Sequence, residues 1–143
     1  MILYCDTSAL VKCYCREEGS EAVLELRRQA EATAISVVGY AEFHSAINRK
    51  RRDGDLSARD AERMLRDFDA DWEGLIRVEI TPAMNKVAAR LLQAHPLRAF
   101  DALHLASALL LRTRLPQSDV SFSGFDGKQR LAAERERLAV VPG

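Results

Sequence analysis

The stretch MILYCDTSAL, residues 1–10, runs apolar through Ile2, Leu3 and Tyr4 and then breaks on Asp6, Thr7 and Ser8. Met1 to Cys5 reads as a short buried strand. A carboxylate set at the end of such a strand risks costly burial, so Asp6 needs a reason to be there. Either it caps a helix that starts at Thr7 or Ser8, or it works with other acids brought to the same place.

Working outward, four more strand-like runs follow. Ala34 to Val38 contains the β-branched Ile35, Val37 and Val38, and Arg77 to Ile80 is the third run. Val120 to Ser123 follows the breaker Pro116-Gln117-Ser118, and Leu138 to Val141 stops at Pro142. Helical patterns lie between them. Ala61, Met64, Leu65, Phe68 and Trp72 recur at steps of three and four, with Ser57 as N-cap after the turn Asp53-Gly54-Asp55. Phe100 to Leu111 leaves almost no polar face and predicts a buried central helix. Strands alternating with helices imply a parallel sheet covered on both faces. The expected fold is α/β, a three-layer α/β/α sandwich with a central parallel sheet, forming a single domain over residues 1–143 with no linker or repeat to divide it.

With 48% apolar and 29% charged residues the composition excludes disorder. No stretch approaches the ~18 uninterrupted apolar residues of a membrane span, and the N-terminus lacks a basic region followed by a long apolar segment. No membrane association and a cytoplasmic location are expected. Cys5, Cys13 and Cys15 are an odd count without a second Cys or His pair at ligand spacing, which favours free thiols over zinc. The 21 basic and 21 acidic side chains cancel. Nucleic-acid binding would therefore need a local patch.

In an open parallel sheet ligands bind outside the carboxyl ends of the strands, and four acids are placed to reach that edge. Asp6 ends the first strand, Glu42 opens the helix after the second, Asp101 begins the buried helix, and Asp126 follows the fourth strand. Asp119 precedes that strand and belongs at the opposite rim. Singly, each acid has a plainer reading as a helix cap, a dipole-favoured first-turn residue, a solvated helix residue or a turn former. Together they make a self-repelling cluster that hard divalent cations would neutralise. Mg²⁺ or Mn²⁺ takes carboxylate oxygens, whereas zinc or copper would recruit Cys or His. A pair of such ions activates water and offsets charge on a phosphoryl group in flight, which is nuclease chemistry.

Asp6-Thr7-Ser8-Ala9-Leu10 after the strand, Glu42 in the second strand–helix unit, Asp101-Ala102-Leu103-His104-Leu105-Ala106, and Phe125-Asp126 together resemble the PIN-domain ribonucleases, specifically the VapC-type toxins of bacterial toxin–antitoxin pairs. The resemblance spans nearly the whole chain. It implies a Mg²⁺- or Mn²⁺-dependent endoribonuclease acting on RNA, a homodimer, and inhibition by a cognate antitoxin. It further implies that Asp6, Glu42 and Asp101 hold metal directly and Asp126 directly or through water. Activated water would then attack phosphorus in line, expelling the 3′ oxygen and leaving a 5′ phosphate. The chain departs from the family pattern at Gly124, where Thr or Ser is usual, with Ser123 one step earlier.

Thr7 and Ser8 are candidates for bonding the carboxylates or a phosphate, and are equally good helix starters. Arg49 in the run Arg49-Lys50-Arg51-Arg52, and Arg98 three residues before Asp101, are candidate phosphate contacts, although cations also suit a helix C-terminus. His104 shares a helix face with Asp101 and reads first as a hydrogen-bonded core residue, with orientation of a carboxylate as the alternative. Other phosphate chemistries fit less well. A haloacid-dehalogenase-type phosphatase wants an acid where Ser8 stands, a response regulator wants one after the third strand, where Ile80 leads to Thr81-Pro82, and no glycine-rich phosphate loop is present. The remaining alternative is a catalytically silent PIN-like RNA-binding or interaction module.

Overall fold

The computed structural model describes all of residues 1–143. The elements run β1 (Ile2–Cys5), α1 (Thr7–Lys12), α2 (Ser20–Gln29), β2 (Ala32–Ser36), α3 (Gly39–Arg52), α4 (Ala58–Trp72), β3 (Ile76–Val78), α5 (Pro82–Ala94), α6 (Ala99–Arg114), β4 (Val120–Ser123), α7 (Gly127–Arg135) and β5 (Ala139–Val141). All five strands are parallel, in the order β3-β2-β1-β4-β5. The expected three-layer α/β sandwich is what forms.

Alternation along β1 distributes the two cores. Ile2 and Tyr4 face one layer, where Ala34, Val78 and Phe122 join residues of α5, α6 and α7. Leu3 and Cys5 face the other, with Ile35 and residues of α1, α3 and α4. α6 buries eight of its residues, as its apolar sequence predicts. α4 buries Ala61, Met64 and Phe68. Phe68 stacks on Phe43 of α3 with ring centroids 3.8 Å apart and planes 10° from parallel, which locks α4 to the helix that carries Glu42.

Two strands stop earlier than their β-branched residues suggest. β2 starts at Ala32 and ends at Ser36, because the Ser36 hydroxyl accepts the Val38 N–H and turns the chain toward α3. β3 ends at Val78, since Thr81 caps α5 by accepting the Met84 N–H and Pro82 takes its first turn. The three cysteines are free thiols.

Chain direction across the sheet creates the site. From β1 the chain moves outward to β2 and β3, while β4 returns to the other side of β1 and leads on to β5. The order therefore reverses beside β1 and β4, and a crevice opens at their carboxyl ends. Asp6 and Ser123-Gly124 occupy that edge. Asp119 accepts a backbone bond from Ile2 at the opposite rim, as expected.

Replacing Phe68 with Ala should cost about 3–5 kcal/mol, the usual range for emptying a buried aromatic site. Urea unfolding monitored by circular dichroism measures it, and a loss under about 1 kcal/mol would mean that the stack does not hold α4 in place.

Candidate active site

Asp6 is the N-cap of α1. Its Oδ1 accepts the Ala9 N–H at 2.8 Å and the Ser8 hydroxyl at 2.8 Å, while its own N–H donates to the Ser123 carbonyl at 2.9 Å. The plainer reading of Asp6 as a cap is thus correct as far as it goes. Yet the residue is only 6% exposed and has no lysine or arginine partner. Burial pushes its carboxyl above the usual aspartate range, against the pull of His104 and of the Ala9 and Ser8 bonds, and Asp101 adds to the rise.

Glu42 stands in the first turn of α3, as expected. Its Oε1 accepts the Thr7 hydroxyl at 2.8 Å and His104 Nε2 at 2.6 Å. Burial alone would raise its carboxyl, but the bonds from His104 and Thr7 outweigh burial and draw it below the usual glutamate range. His104, 3% exposed on α6, is both a core histidine and a carboxylate partner. Its Nδ1 meets the Tyr4 hydroxyl at 2.8 Å, and that oxygen already accepts the Ser36 N–H at 3.0 Å. Tyr4 has one proton to give, so the network assigns it to Nδ1 and leaves Nε2–H to donate to Glu42. A directed chain of donors from Ser36 through Tyr4 and His104 thereby fixes Glu42. Tyr4 reads from sequence only as a core residue, and its role depends on contacts 100 residues apart.

Asp101 lies in the first turn of α6, one turn before His104. Arg98 Nε approaches its Oδ2 only at 3.4 Å, and the Arg98 side chain is 87% exposed. Asp126 caps α7 by accepting the Gln129 N–H at 2.9 Å and is exposed. Thr7, Ser8, Glu42, Arg49, Arg98 and Asp101 line one depression of about 660 Å³, with Asp6 beneath Ser8. Asp126 lines a neighbouring depression of about 530 Å³ that shares Arg98 and Asp101 with the first. Glu42 and Asp101 thus share one depression, Asp6 is bonded to Ser8 of its wall, and Asp126 lines the neighbouring one. Another hollow, of about 740 Å³, lies by Tyr40 and Trp72 and contains a single acid, Glu79. It offers no comparable chemistry.

No three His, Cys, Asp or Glu side chains stand close enough to enclose an ion as a finished cage. One Glu42 oxygen is committed to His104 and Thr7. The donor set still fits a hard divalent cation. It consists of oxygens, Asp6 is a buried carboxylate without a cationic partner, and the buried amide oxygen of Gln129 has no donor.

A doubly flanked parallel sheet carrying acids at the carboxyl ends of its strands defines a class that sequence comparison identifies directly. The PIN domain model matches residues 3–128, and the chain belongs to the PIN-domain family. Within it, the chain is 35% identical over 108 residues to ribonucleases VapC45 and VapC49 of Mycobacterium tuberculosis, covering 76% of this chain and 75% of theirs. Among solved structures, VapBC-1 of nontypeable Haemophilus influenzae superposes with a TM-score of 0.66 at 14% identity, covering 98% of this chain and 96% of that one. VapC20 of M. tuberculosis, a sarcin-ricin loop cleaving toxin, superposes with a TM-score of 0.65 at 17% identity, over 91% and 94%. At these identities the likeness is one of fold.

Asp6→Asn keeps the cap geometry and removes a buried charge. In EDTA the variant should melt higher than wild type, by roughly 2–4 °C for each kcal/mol relieved. The folded carboxyl titrates above the unfolded one, so the wild-type penalty is fully present at neutral pH and fades as pH falls through the raised folded value toward the ordinary 3.8. The advantage of the variant should shrink over that window in calorimetric scans. An advantage that grows with acidity contradicts the assignment.

Proposed function

We propose that the chain is a Mg²⁺- or Mn²⁺-dependent endoribonuclease and the toxin of a toxin–antitoxin pair, cytoplasmic, homodimeric and inhibited by a cognate antitoxin. The observation that carries this reading is the buried, cation-free carboxylate of Asp6 at the sheet edge, with Glu42 and Asp101 brought beside it from two other elements. The ribonuclease names of the relatives at 35% identity support the activity, and the toxin–antitoxin complexes among the structural neighbours support the partner.

In this reading Asp6, Glu42 and Asp101 hold the cation, with Asp126 contributing directly or through water. A bound Mg²⁺ or Mn²⁺ supplies activation of water and neutralisation of charge at the phosphoryl group. The chain's own groups do the remaining work. Ser8 and the Ala9 N–H hold Asp6, and Thr7 and His104 hold Glu42. The Thr7 and Ser8 hydroxyls give their protons to carboxylates, which suits positioning rather than attack on phosphorus. Arg49 and Arg98, on the wall of the same depression, form the local cationic patch that a chain of zero net charge requires to hold an RNA backbone. Phe100, also on that wall and 54% exposed, presents an apolar face on which an unpaired base can stack.

Incubating RNA with the protein and Mg²⁺ or Mn²⁺ tests the activity. Asp6→Asn and Asp101→Asn should each lower cleavage by more than about 100-fold, because even the loss of an outer-shell partner costs about 10–100-fold, while circular dichroism is preserved. Surviving cleavage in both variants, or a wild type inert with every divalent ion, would favour the silent RNA-binding or interaction module. Phe100→Ala should reduce kcat/KM on single-stranded RNA by about 5–150-fold, the equivalent of ~1–3 kcal/mol of stacking, without a change in melting temperature. An unchanged kcat/KM would remove Phe100 from the substrate path.

A further inference from the structure

Gln129 is the third residue of α7 and is fully buried. A long amide in that position must place two donors and an acceptor. Its Nε2 donates to the backbone carbonyl of Asp101 at 3.3 Å. A carbonyl only accepts, so this bond sets the amide with its NH₂ group toward α6 and Oε1 turned away. Oε1 meets no donor. In the whole chain only two buried side-chain polar atoms lack a partner, Gln129 Oε1 and Ser123 Oγ. A buried acceptor left unpaired costs about 1–3 kcal/mol, so the Gln129 oxygen calls for a partner.

Gly124 borders the space that this oxygen faces. Its φ is not in the left-handed region, so the backbone does not demand glycine there. Space does. A Cβ at this position would stand 3.1 Å from Asp6 Oδ2, 3.1 Å from Gln129 Oε1 and 3.0 Å from Phe122. Two acceptors, one from the end of β1 and one from α7, thus border a single hollow. With Asp6 ionised both oxygens only accept, so the hollow suits a donor or a cation.

We propose that Gln129 is a neutral oxygen donor of the divalent-cation site, facing the hollow at Gly124 together with Asp6 and reaching the ion directly or through one of its waters. The proposal rests on the metal-dependent reading of the site given above. Amide oxygens are ordinary ligands of hard divalent ions. A neutral one adds a ligand without adding to the mutual repulsion of Asp6, Glu42, Asp101 and Asp126. It also ties the start of α7, whose cap is Asp126, to the start of α6, which carries Asp101.

The test is Mn²⁺ binding to the full chain stripped with EDTA, followed by electron paramagnetic resonance, together with the rise in melting temperature that Mn²⁺ produces. Gln129→Met keeps length and bulk but removes the oxygen. It should weaken Mn²⁺ binding about 10–100-fold and shrink the Mn²⁺-induced rise in melting temperature. Gly124→Ala, which crowds both oxygens, should weaken binding in the same direction. Binding by Gln129→Met within about threefold of wild type would overturn the proposal. Should that variant not fold, a wild-type crystal soaked in Mn²⁺ decides: an anomalous peak whose ligands or bound waters include Gln129 Oε1 supports the assignment, and one whose shell excludes it refutes it. A wild type that binds no Mn²⁺ removes the metal-site reading itself, and this assignment with it.

Discussion

One carboxylate at the end of the central strand governs the architecture. Asp6 is held by the Ala9 N–H of α1, by the Ser8 hydroxyl and, through its own backbone, by β4, yet no basic side chain neutralises it. A helix N-terminus stabilises a negative charge by about 0.3–1 kcal/mol when exposed and up to ~2 kcal/mol when partly buried, which is small beside the several kcal/mol of removing an ion from water. The fold therefore carries a local instability at its centre. Proteins retain such strain where function needs it.

The acids at the edge sit in graded environments. Asp6 is buried, Glu42 and Asp101 are half-buried, and Asp126 is exposed. Glu42 is held ionised by donors, whereas Asp6 is pushed toward the protonated form by burial. Two carboxylates of one cluster are thus driven in opposite directions, so their protonation states are separated before any ligand arrives.

Much of this was legible in the chain. A run ending in Asp6, repeated alternation of strands and helices, and the nearly all-apolar α6 suffice for a parallel three-layer fold, because periodicity and topology rules leave few alternatives. The sheet-edge rule then selects Asp6, Glu42, Asp101 and Asp126 while placing Asp119 at the far rim. Strand ends were less legible, since the Ser36 hydroxyl turn and the Thr81 cap override the β-preference of Val37, Val38 and Ile80. Tyr4 and Gln129 were hidden altogether. Each looks like an ordinary interior residue until partners distant in sequence, His104 for one and the Asp101 carbonyl for the other, give its polar atoms a direction.

The adjacency of β1 and β4 carries a consequence for synthesis. Cys5 pairs with Ser123, so the two sides of the crevice are supplied by segments more than a hundred residues apart in sequence. Because chains emerge from the ribosome N-terminus first, Asp6 is made early but cannot acquire its β4 neighbour until more than a hundred further residues have followed. Until β4 has been made and docked, the crevice beside β1 has only one of its two walls.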